Sequence, residues 1–345
     1  MCLYPISMKN KKYQPTEKNR VDYIDVNTGE VVEGHIIPQL PKNRDGKRGT
    51  DQRIKYVQIP CGNCIECCKQ KANAWKVRMY EEIKTHKYNY FITLTFSPEE
   101  LNQLCKETNL SECNAVAGKA VRRMLERWRK DKKTSLKHWL ITEMGHQGTE
   151  RIHLHGLLMA DEPLKFTKIL DTKFVNWKYW KYGYIFVGDY VNIKTINYIA
   201  KYITKLDQDH KGFKGQIFCS PGIGRNFTET DIFNSYAYIR GKSRTDYYCE
   251  NGTRMKLPTY WKNKAYNEEE RELIWRDYLD TEKINILGTE YDKKRIDPIK
   301  LNNIKERAKE TNRNLGYGDN SHEWQKKPYN ITERMLAKGY YCEKM

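Results

Sequence analysis

The chain has 345 residues, enough for a large buried core, and carries 62 Lys and Arg against 44 Asp and Glu, a formal charge of +18. This charge favours a polyanionic partner such as nucleic acid. The 25 tyrosines, several interleaved with lysine as in "WKYWKYGY", are typical of surfaces that stack on unpaired bases. No stretch approaches the roughly 20 apolar residues that span a bilayer, and no secretory signal is evident, so we expect a cytoplasmic protein.

The polar, turn-rich segment 1–57 predicts an extended arm, which the cysteine-rich stretch "PCGNCIECC" follows. Two residues separate Cys61 from Cys64 and Cys64 from Cys67, a spacing that lets tight turns direct thiolates at one tetrahedral ion. We therefore predict a structural zinc site, with an iron–sulfur cluster as the alternative. The fourth ligand is Cys2 or Cys68. Cys2 is preferred because it would attach the arm to the body.

The middle of the chain alternates between helical and strand patterns. Apolar residues at helical spacing predict core-facing helices, and short β-branched or aromatic runs predict strands. Strands 138–145 and 151–160 are separated by the short turn "HQGTE" and should form a hairpin. Beyond residue 215 the pattern is weaker, and the highly charged last 50 residues are expected to pack loosely. In chain order the predictions are helix 68–87, strand 88–96, helix 116–132, strands 138–145, 151–160 and 183–190, and helices 191–206 and 268–284.

The segment "RIHLHGLL" places His153 and His155 at alternate positions of a strand, so both imidazoles lie on one face. Glu143 lies near the end of the preceding strand, about opposite the two histidines across the hairpin. Two nitrogens and a carboxylate with open positions suit Mg²⁺ or Mn²⁺ when a phosphate completes the coordination, and they could also hold Fe²⁺ or Zn²⁺. The alternative is structural, with Glu143 in solvent and the imidazoles bonded to backbone.

The predicted helix "NIKTINYIAKYITK" has two different faces. Its isoleucines form an apolar stripe, whereas Tyr198, Lys201, Tyr202 and Lys205 lie together on the opposite side. Tyrosine is a known covalent nucleophile, and a neighbouring ammonium favours its ionisation. A phenolate beside a metal centre suggests attack on a phosphate, which gives a 5′-phosphotyrosine and a free 3′-hydroxyl. Two tyrosines one turn apart could alternate in successive cleavages.

Three of these segments resemble, in order and spacing, the HUH endonucleases, specifically the rolling-circle replication initiators of gokushovirus-like microviruses. They are the strand "FITLTF", the metal strand "HLHGLL" with its preceding glutamate, and the tyrosine helix "YIAKYITK". The resemblance also covers "MCLYP" with "PCGNCIEC", and the later "PGIGRNF" and "LPTYW", so it extends to about residue 265. It implies metal ligands His153, His155 and Glu143, nucleophiles Tyr198 and Tyr202, and assisting lysines Lys201 and Lys205.

The implied fold is α+β, with a central antiparallel sheet of about five strands and flanking helices, an HUH or RRM-like palm, plus a small cysteine-rich element. We expect an N-terminal arm with the zinc element at 1–67, a nuclease core at 68–215 and a basic helical extension at 216–345. The expected cofactors are Mg²⁺ or Mn²⁺ at the histidines and Zn²⁺ at the cysteines. Expected partners are single-stranded or origin DNA, a host polymerase and, because no Walker-type phosphate loop occurs, a host helicase in the bacterial cytoplasm.

Two other classes of function fit parts of the pattern. A plasmid initiator, relaxase or single-strand transposase would use the same HUH chemistry. A non-catalytic, zinc-containing protein that binds single-stranded nucleic acid would use the histidines and tyrosines structurally, with salt-sensitive binding and no covalent product. A two-histidine, one-carboxylate iron oxygenase is disfavoured because the usual order of its ligands is absent.

Overall fold

The computed structural model describes residues 1–13, 20–24, 27–36, 51–146, 150–188, 190–207, 209–210 and 212–319. The helices are α1 Ile65–Ile83, α2 Pro98–Thr108, α3 Cys113–Lys132, α4 Ile193–Thr204, α5 Asp231–Asn234, α6 Thr259–Ala265, α7 Glu268–Asp280 and α8 Pro298–Asn314. The strands are β1 Ile6–Lys9, β2 Arg20–Ile24, β3 Val31–Ile36, β4 Tyr56–Ile59, β5 Tyr88–Leu94, β6 Lys137–Met144, β7 Ile152–Ala160, β8 Thr167–Lys168, β9 Phe174–Trp177, β10 Trp180–Val187, β11 Ile217–Cys219, β12 Asp246–Tyr248, β13 Arg254–Lys256, β14 Lys283–Ile286 and β15 Thr289–Asp292. Among these helices, none has the length and apolar character needed to cross a membrane.

The chain divides into two compact units. The cysteine unit comprises residues 1–67, 235–245 and the described part of 262–321, and the sheet unit comprises 68–234 and 246–261. Most of the predicted turn "HQGTE" and of the arm segment "PKNRDGKRGTDQR" lies outside the described residues, as does the chain from residue 320 onward.

The sheet unit is built on an antiparallel sheet in the strand order β11-β6-β7-β5-β10-β9-β8. The central strand β7 pairs with β6 over residues 152–159 on one side and with β5 over residues 154–160 on the other. Apolar side chains on one face, including Leu154 and Leu158, pack with those of α2 and α3 in the main core. On the opposite face, Trp75 of α1 meets Trp139 edge to face, with 5.8 Å between ring centroids. Helices therefore cover both faces of the sheet.

The later resemblance segments pack together within the sheet unit. The indole nitrogen of Trp261, from "LPTYW", donates to the carbonyl oxygen of Gly224, from "PGIGRNF", at 2.8 Å. The amide of Gly224 donates to the carboxylate of Glu82 on α1 at 2.5 Å. Gly224 has a φ of +74°, and a Cβ there would lie 2.9 Å from the Arg78 carbonyl oxygen, so this close approach requires glycine.

The cysteine unit has a smaller apolar core between its amino-terminal and carboxyl-terminal segments. Strand β1 pairs with β4, and β14 pairs with β15. Apolar residues of β14 and α8 pack against the cysteine turn, and the buried Asn312 side chain accepts the amide of Ile65 at 2.8 Å. A buried amide side chain that bonds to backbone holds the two segments in a defined register.

The predicted α+β class with a central antiparallel sheet is confirmed, although the described sheet has seven strands rather than about five. The sequence patterns missed α2 and the short strands β8, β9 and β11. The arm predicted to be irregular carries β1 to β4. The segment expected to pack loosely includes α8, which buries Leu301 and Ala308 because its apolar residues face the cysteine unit's core.

Gly156 tests the close packing of the central strands. A Cβ at Gly156 would lie 2.0 Å from the carbonyl oxygen of Trp139 and 2.8 Å from Leu140 Cα, so Gly156→Ala must displace backbone. We expect this change to lower the free energy of unfolding by at least roughly 1–3 kcal/mol in denaturant titrations. The control is Gly118→Ala in α3, where the new methyl would lie 2.9 Å from the end of the Phe218 side chain, which can move without displacing backbone, and where helix propensity favours alanine. Equal stability of the two variants would contradict the packing.

Candidate metal and nucleophile site

The hairpin of β6 and β7 brings the three predicted ligands together. Glu143 is paired directly with His153, and Ile141 with His155, so all three polar side chains lie on the same face. The Nε2 atoms of His153 and His155 lie 3.2 and 2.9 Å from Oε2 of Glu143. One ligand atom from each residue lies within 4.8 Å of the others. This spacing is compact enough for the three to share one cation.

Neighbouring groups orient both imidazoles. The Thr93 hydroxyl on β5 lies 2.9 Å from Nδ1 of His155, and the Arg151 carbonyl oxygen lies 3.3 Å from Nδ1 of His153. In each ring Nδ1 is held by one of these groups, and Nε2 faces the carboxylate of Glu143. Partners on the outer nitrogen are the usual way in which proteins fix the tautomer and direction of a metal-ligating histidine.

The electrostatics favour the ligating forms of the side chains. Burial raises the pKa of Glu143, but hydrogen bonds from His153, His155 and Lys205 outweigh it and bring this pKa well below its usual range. Burial lowers the pKa of His155, against a smaller opposing effect of Glu143. An ionised carboxylate and a neutral imidazole are the forms that bind a divalent cation. The donor set therefore fits a metal ion.

Helix α4 places the two tyrosines against this group. Its N-cap Asn192 forms a capping box with Thr195, and its buried Ile196 and Ile199 hold the apolar face on the sheet unit. The Tyr202 ring stacks on His155, with 4.4 Å between centroids and 4° between planes. The Tyr202 hydroxyl donates to that of Tyr198 at 2.7 Å. Tyr198 is 47 % exposed, so its hydroxyl is the more accessible of the two.

The two predicted assisting lysines occupy different surroundings. Lys205 pairs with the Glu143 carboxylate, and its Nζ lies 5.8 Å from the Tyr202 ring centroid. Lys201 is exposed and lies near α1, where burial of Lys76 and then the charge of Lys201 lower the pKa of Lys76. Lys205 is thus the lysine that the structure places at the site.

The pKa of Tyr202 differs from the direction expected for an assisted phenolate. Burial, the hydrogen bond with Tyr198 and the negative charge of Glu143 together raise the pKa of Tyr202 well above its ordinary value. The earlier expectation considered the lysines alone. In the structure Lys205 is paired with Glu143, and the carboxylate itself lies near the phenol. Tyr202 is therefore held as a protonated hydroxyl.

A cleft of about 840 Å³ opens beside His153. Two partly exposed aromatic side chains, Phe174 of β9 and Tyr184 of β10, line it with 6.0 Å between their ring centroids. Arg151 and Lys181 add positive charge to the lining, which also includes Glu100. A cleft of this size with aromatic and cationic walls suits one or two nucleotides.

The predicted cysteine group forms within the cysteine unit. The sulfur atoms of Cys2, Cys61, Cys64 and Cys67 all lie within 4.8 Å of one another. Two of the sulfur pairs, Cys61 with Cys67 and Cys64 with Cys2, are separated by 3.9 Å, close to the roughly 3.8 Å expected of tetrahedral thiolates around zinc. Hydrogen bonds, first from Cys67, lower the pKa of Cys64 to about 4. Cys2 rather than Cys68 completes the group of four.

Sequence reasoning missed a third group of potential metal ligands. His146, Asp207 and His210 come together after β6 and after α4. The only signal in the sequence is that each lies just beyond an element already assigned to the catalytic region, in "MGH" and "DQDH".

The sheet unit is thus an antiparallel sheet covered by helices on both faces, with the candidate metal group and the tyrosine helix on the same face. Comparison with known protein families identifies a more specific similarity. Residues 89–207 match the family model of the replication-associated proteins of the ORF2 type, and this segment contains the histidine strand and both tyrosines. The chain is thus similar to that family over this segment, and the predicted resemblance to phage rolling-circle replication initiators is confirmed.

Curated relatives extend the similarity over most of the chain. The "Replication-associated protein ORF2" of Spiroplasma virus 4 is 25 % identical over 302 residues, which cover 81 % of this chain and 83 % of the relative. The "Replication-associated protein VP4" of Bdellovibrio phage phiMH2K is 24 % identical over 244 residues, covering 66 % of this chain and 73 % of the relative. No solved structure gives a significant match.

Substitutions of single cysteines test the composition of the sulfur group. We expect Cys2→Ser to lose most of the metal bound at this group, because a serine hydroxyl is a poor replacement for a thiolate ligand. Cys68→Ser is the matched control and should retain the metal, since Cys68 is not one of the four. Metal content per chain, measured by plasma mass spectrometry, gives the comparison. Loss of metal in Cys68→Ser and retention in Cys2→Ser would contradict the assignment.

Proposed function

We propose that the protein initiates rolling-circle replication of a small circular phage genome by nicking single-stranded or origin DNA. A tyrosine attacks the scissile phosphate, the bond to the 3′ oxygen breaks, and the products are a 5′-phosphotyrosine and a free 3′-hydroxyl. Attack of that hydroxyl on a phosphotyrosine later rejoins the ends and releases the tyrosine. The observation that carries the proposal is the stacking of Tyr202 on His155, which joins the nucleophile helix to the candidate metal ligands.

Glu143, His153 and His155 would hold Mg²⁺ or Mn²⁺. When bound, the ion supplies positive charge that polarises the scissile phosphate and neutralises charge that develops on it. The lowered pKa values of Glu143 and His155 favour an ionised carboxylate and a neutral imidazole, the forms that bind a divalent cation. Two nitrogens and one carboxylate leave coordination positions for phosphate oxygen.

The two tyrosines have different roles in the first cleavage. Tyr198 is the exposed one, and its oxygen accepts a hydrogen bond from Tyr202 at 2.7 Å. A hydroxyl that donates to a phenol oxygen stabilises the phenolate form of the acceptor. Tyr202, held protonated, is suited to this donation. We therefore assign the first attack to Tyr198 and the second, on the next junction, to Tyr202.

The cleft beside His153 is suited to the DNA strand next to the cut. Tyr184 and Phe174 present ring faces and edges on which an unpaired base can stack, and Arg151 and Lys181 offer charge to its phosphates. His153 lies both in the metal group and in the cleft wall. A nucleotide bound in the cleft would thus lie beside the reacting phosphate.

The remaining partners follow from the products. A free 3′-hydroxyl requires a polymerase, and the sequence has no phosphate loop of its own for an ATP-driven helicase, so we assign both to the bacterial host, with the reaction in its cytoplasm. Zn²⁺ is the ion that best fits the cysteine group, because the sulfur spacing matches single-ion tetrahedral coordination. An iron–sulfur cluster would separate the thiolates further.

Covalent trapping tests the chemistry. The full chain is incubated with Mn²⁺ and a pool of labelled single-stranded origin DNA, and products are resolved on a denaturing gel. We expect a slower-migrating protein–DNA adduct that EDTA abolishes. Tyr198→Phe should reduce first-cleavage adduct by at least about 100-fold, because the exposed nucleophile is lost, whereas Tyr202→Phe should retain more of it. Tyr190→Phe, outside the site, is the control.

Two outcomes would contradict this assignment. An adduct that persists when both Tyr198 and Tyr202 are phenylalanine would exclude these nucleophiles. Binding of DNA without any adduct, in the presence of Mn²⁺, would favour the non-catalytic single-strand-binding function.

Substitution at Tyr184 tests the cleft independently of cleavage. With the inactive Tyr198→Phe/Tyr202→Phe protein, we expect Tyr184→Ala to weaken single-strand binding by roughly 10-fold, because loss of a base stack costs about 1–3 kcal/mol. Tyr184→Phe should bind nearly normally since it keeps the ring. Fluorescence anisotropy measures both. Tyr248→Ala, an equally exposed tyrosine outside the cleft, is the control, and an equal loss there would refute the specific role.

A further inference from the structure

A second group of ligand-type side chains lies beyond the proposed catalytic centre. His146 follows β6, and Asp207 and His210 follow α4, so about sixty residues of chain separate the two contributions. One ligand atom from each of the three lies within 4.8 Å of the others. None of the three belongs to the group formed by Glu143, His153 and His155.

The His146 ring is oriented by an acidic residue. Its Nδ1 lies 2.7 Å from a carboxylate oxygen of Asp209. Its Nε2 faces the group and lies 3.9 Å from Oδ2 of Asp207. A carboxylate on the outer nitrogen is the arrangement that fixes the tautomer of metal-bound histidines.

The carboxylate of Asp207 is oriented by its own loop. Its Oδ1 accepts the backbone amides of Asp209 and His210 at 3.1 and 2.9 Å. Its Oδ2 is left facing the histidines, 2.5 Å from Nδ1 of His210. The loop after α4 therefore presents one carboxylate oxygen and one imidazole nitrogen side by side.

The charge and burial of the group favour a cation. The side chains of Asp207 and His210 are 8 % and 1 % exposed. A third carboxylate, from Glu150, has Oε2 3.6 Å from Nε2 of His210. Within the described residues, the ion-pair partners of Asp207 and Asp209 are histidines alone. Of the three carboxylates, that of Asp207 is buried, whereas Glu150 is 28 % and Asp209 69 % exposed, and a buried carboxylate is costly without a positive partner.

We propose that His146, Asp207 and His210 bind a second divalent transition-metal ion, of which Zn²⁺ is the best representative. Two imidazoles and a carboxylate are a donor set that Zn²⁺ takes, whereas Mg²⁺ and Ca²⁺ prefer oxygen ligands throughout. Binding replaces the hydrogen bond between Nδ1 of His210 and Oδ2 of Asp207, releases its proton to solvent, and leaves a fourth coordination position for water or a neighbouring carboxylate. The ion links the end of β6 to the segment after α4.

This site has a positioning role for the tyrosine helix. Asp207 lies two residues after Lys205, which pairs with Glu143, and three residues after the end of α4. An ion bound by Asp207 and His146 restrains the carboxyl-terminal end of α4 against the hairpin. The proposal concerns metal binding and is independent of whether the tyrosines cut DNA.

Cobalt titration isolates this site in the full chain. The background variant carries Glu143→Gln, His153→Gln and His155→Gln, which remove the proposed catalytic metal group. In this variant, thiolate–cobalt absorption reports on the cysteine group. Weaker ligand-field bands report on sites with nitrogen and oxygen ligands. After a chelator has removed bound metal, we expect this background to bind one equivalent of Co²⁺ that adds no thiolate absorption, besides the Co²⁺ at the cysteine group. Added Zn²⁺ should displace that equivalent. Adding His146→Gln, at the most exposed of the three ligands, should weaken this binding by at least about 10-fold.

The matched control is His86→Gln in the same background, because His86 is also an ion-paired histidine but lies outside the group. Circular dichroism establishes that each protein is folded. If the background binds no Co²⁺ beyond the cysteine group, or if His146→Gln binds it as tightly as His86→Gln, the metal site is refuted and the group is a network of ion pairs. A negative result in covalent trapping would leave these outcomes unaffected.

Discussion

One carboxylate accepts hydrogen bonds from two imidazoles, and these bonds, on which the candidate site depends, require the observed register of β6 against β7. Glu143 reaches both His153 and His155 because the pairing sets it directly opposite His153. A slip of one residue would turn both histidines into the apolar layer under α2 and α3 and expose Leu154. Gly156 restricts this register, since any side chain there would collide with the backbone of β6. The position of the three candidate metal ligands is therefore a consequence of close strand packing.

The Glu143 carboxylate has opposite effects on the two steps proposed for this face, cation binding and formation of a phenolate. Its negative charge attracts a cation, and it also raises the pKa of Tyr202, which opposes formation of a phenolate. Lys205 offsets part of that charge, and a bound divalent ion would offset more. Tyr198 is farther into solvent and accepts a hydrogen bond from Tyr202. The two tyrosines of one helix are thus unequal in exposure and in the direction of their shared hydrogen bond, which spacing along the helix alone does not reveal.

Local patterns in the sequence were sufficient to predict the elements that form this site. They were less successful at predicting the elements around it. The alternation of His153 and His155, the two faces of α4 and the spacing of Cys61, Cys64 and Cys67 are local patterns, and the structure places each set as the pattern predicts. The strands β8, β9 and β11 are two to four residues long, too short for a period to show. The different surroundings of Lys201 and Lys205 depend on tertiary neighbours, Lys76 in one case and Glu143 in the other. The apolar residues of α8 are sparse, and only their partners in the cysteine unit make them a core.

The ends of α4 are restrained in different ways, and this difference bears on how the tyrosines are held. At its amino-terminal end, Asn192 and Thr195 form a local capping box that needs nothing outside the helix. At its carboxyl-terminal end, Lys205 has a β-type conformation, and restraint comes from long-range contacts with Glu143 and, through Asp207, with His146. Both contacts lead to the β6–β7 hairpin. Tyr202 lies one turn from that end and Tyr198 two turns from it, so changes in charge or ligation at the hairpin act more strongly on Tyr202. Under the proposed function, this arrangement keeps Tyr198 exposed to a strand of DNA while ligation or charge at the hairpin alters the surroundings of Tyr202.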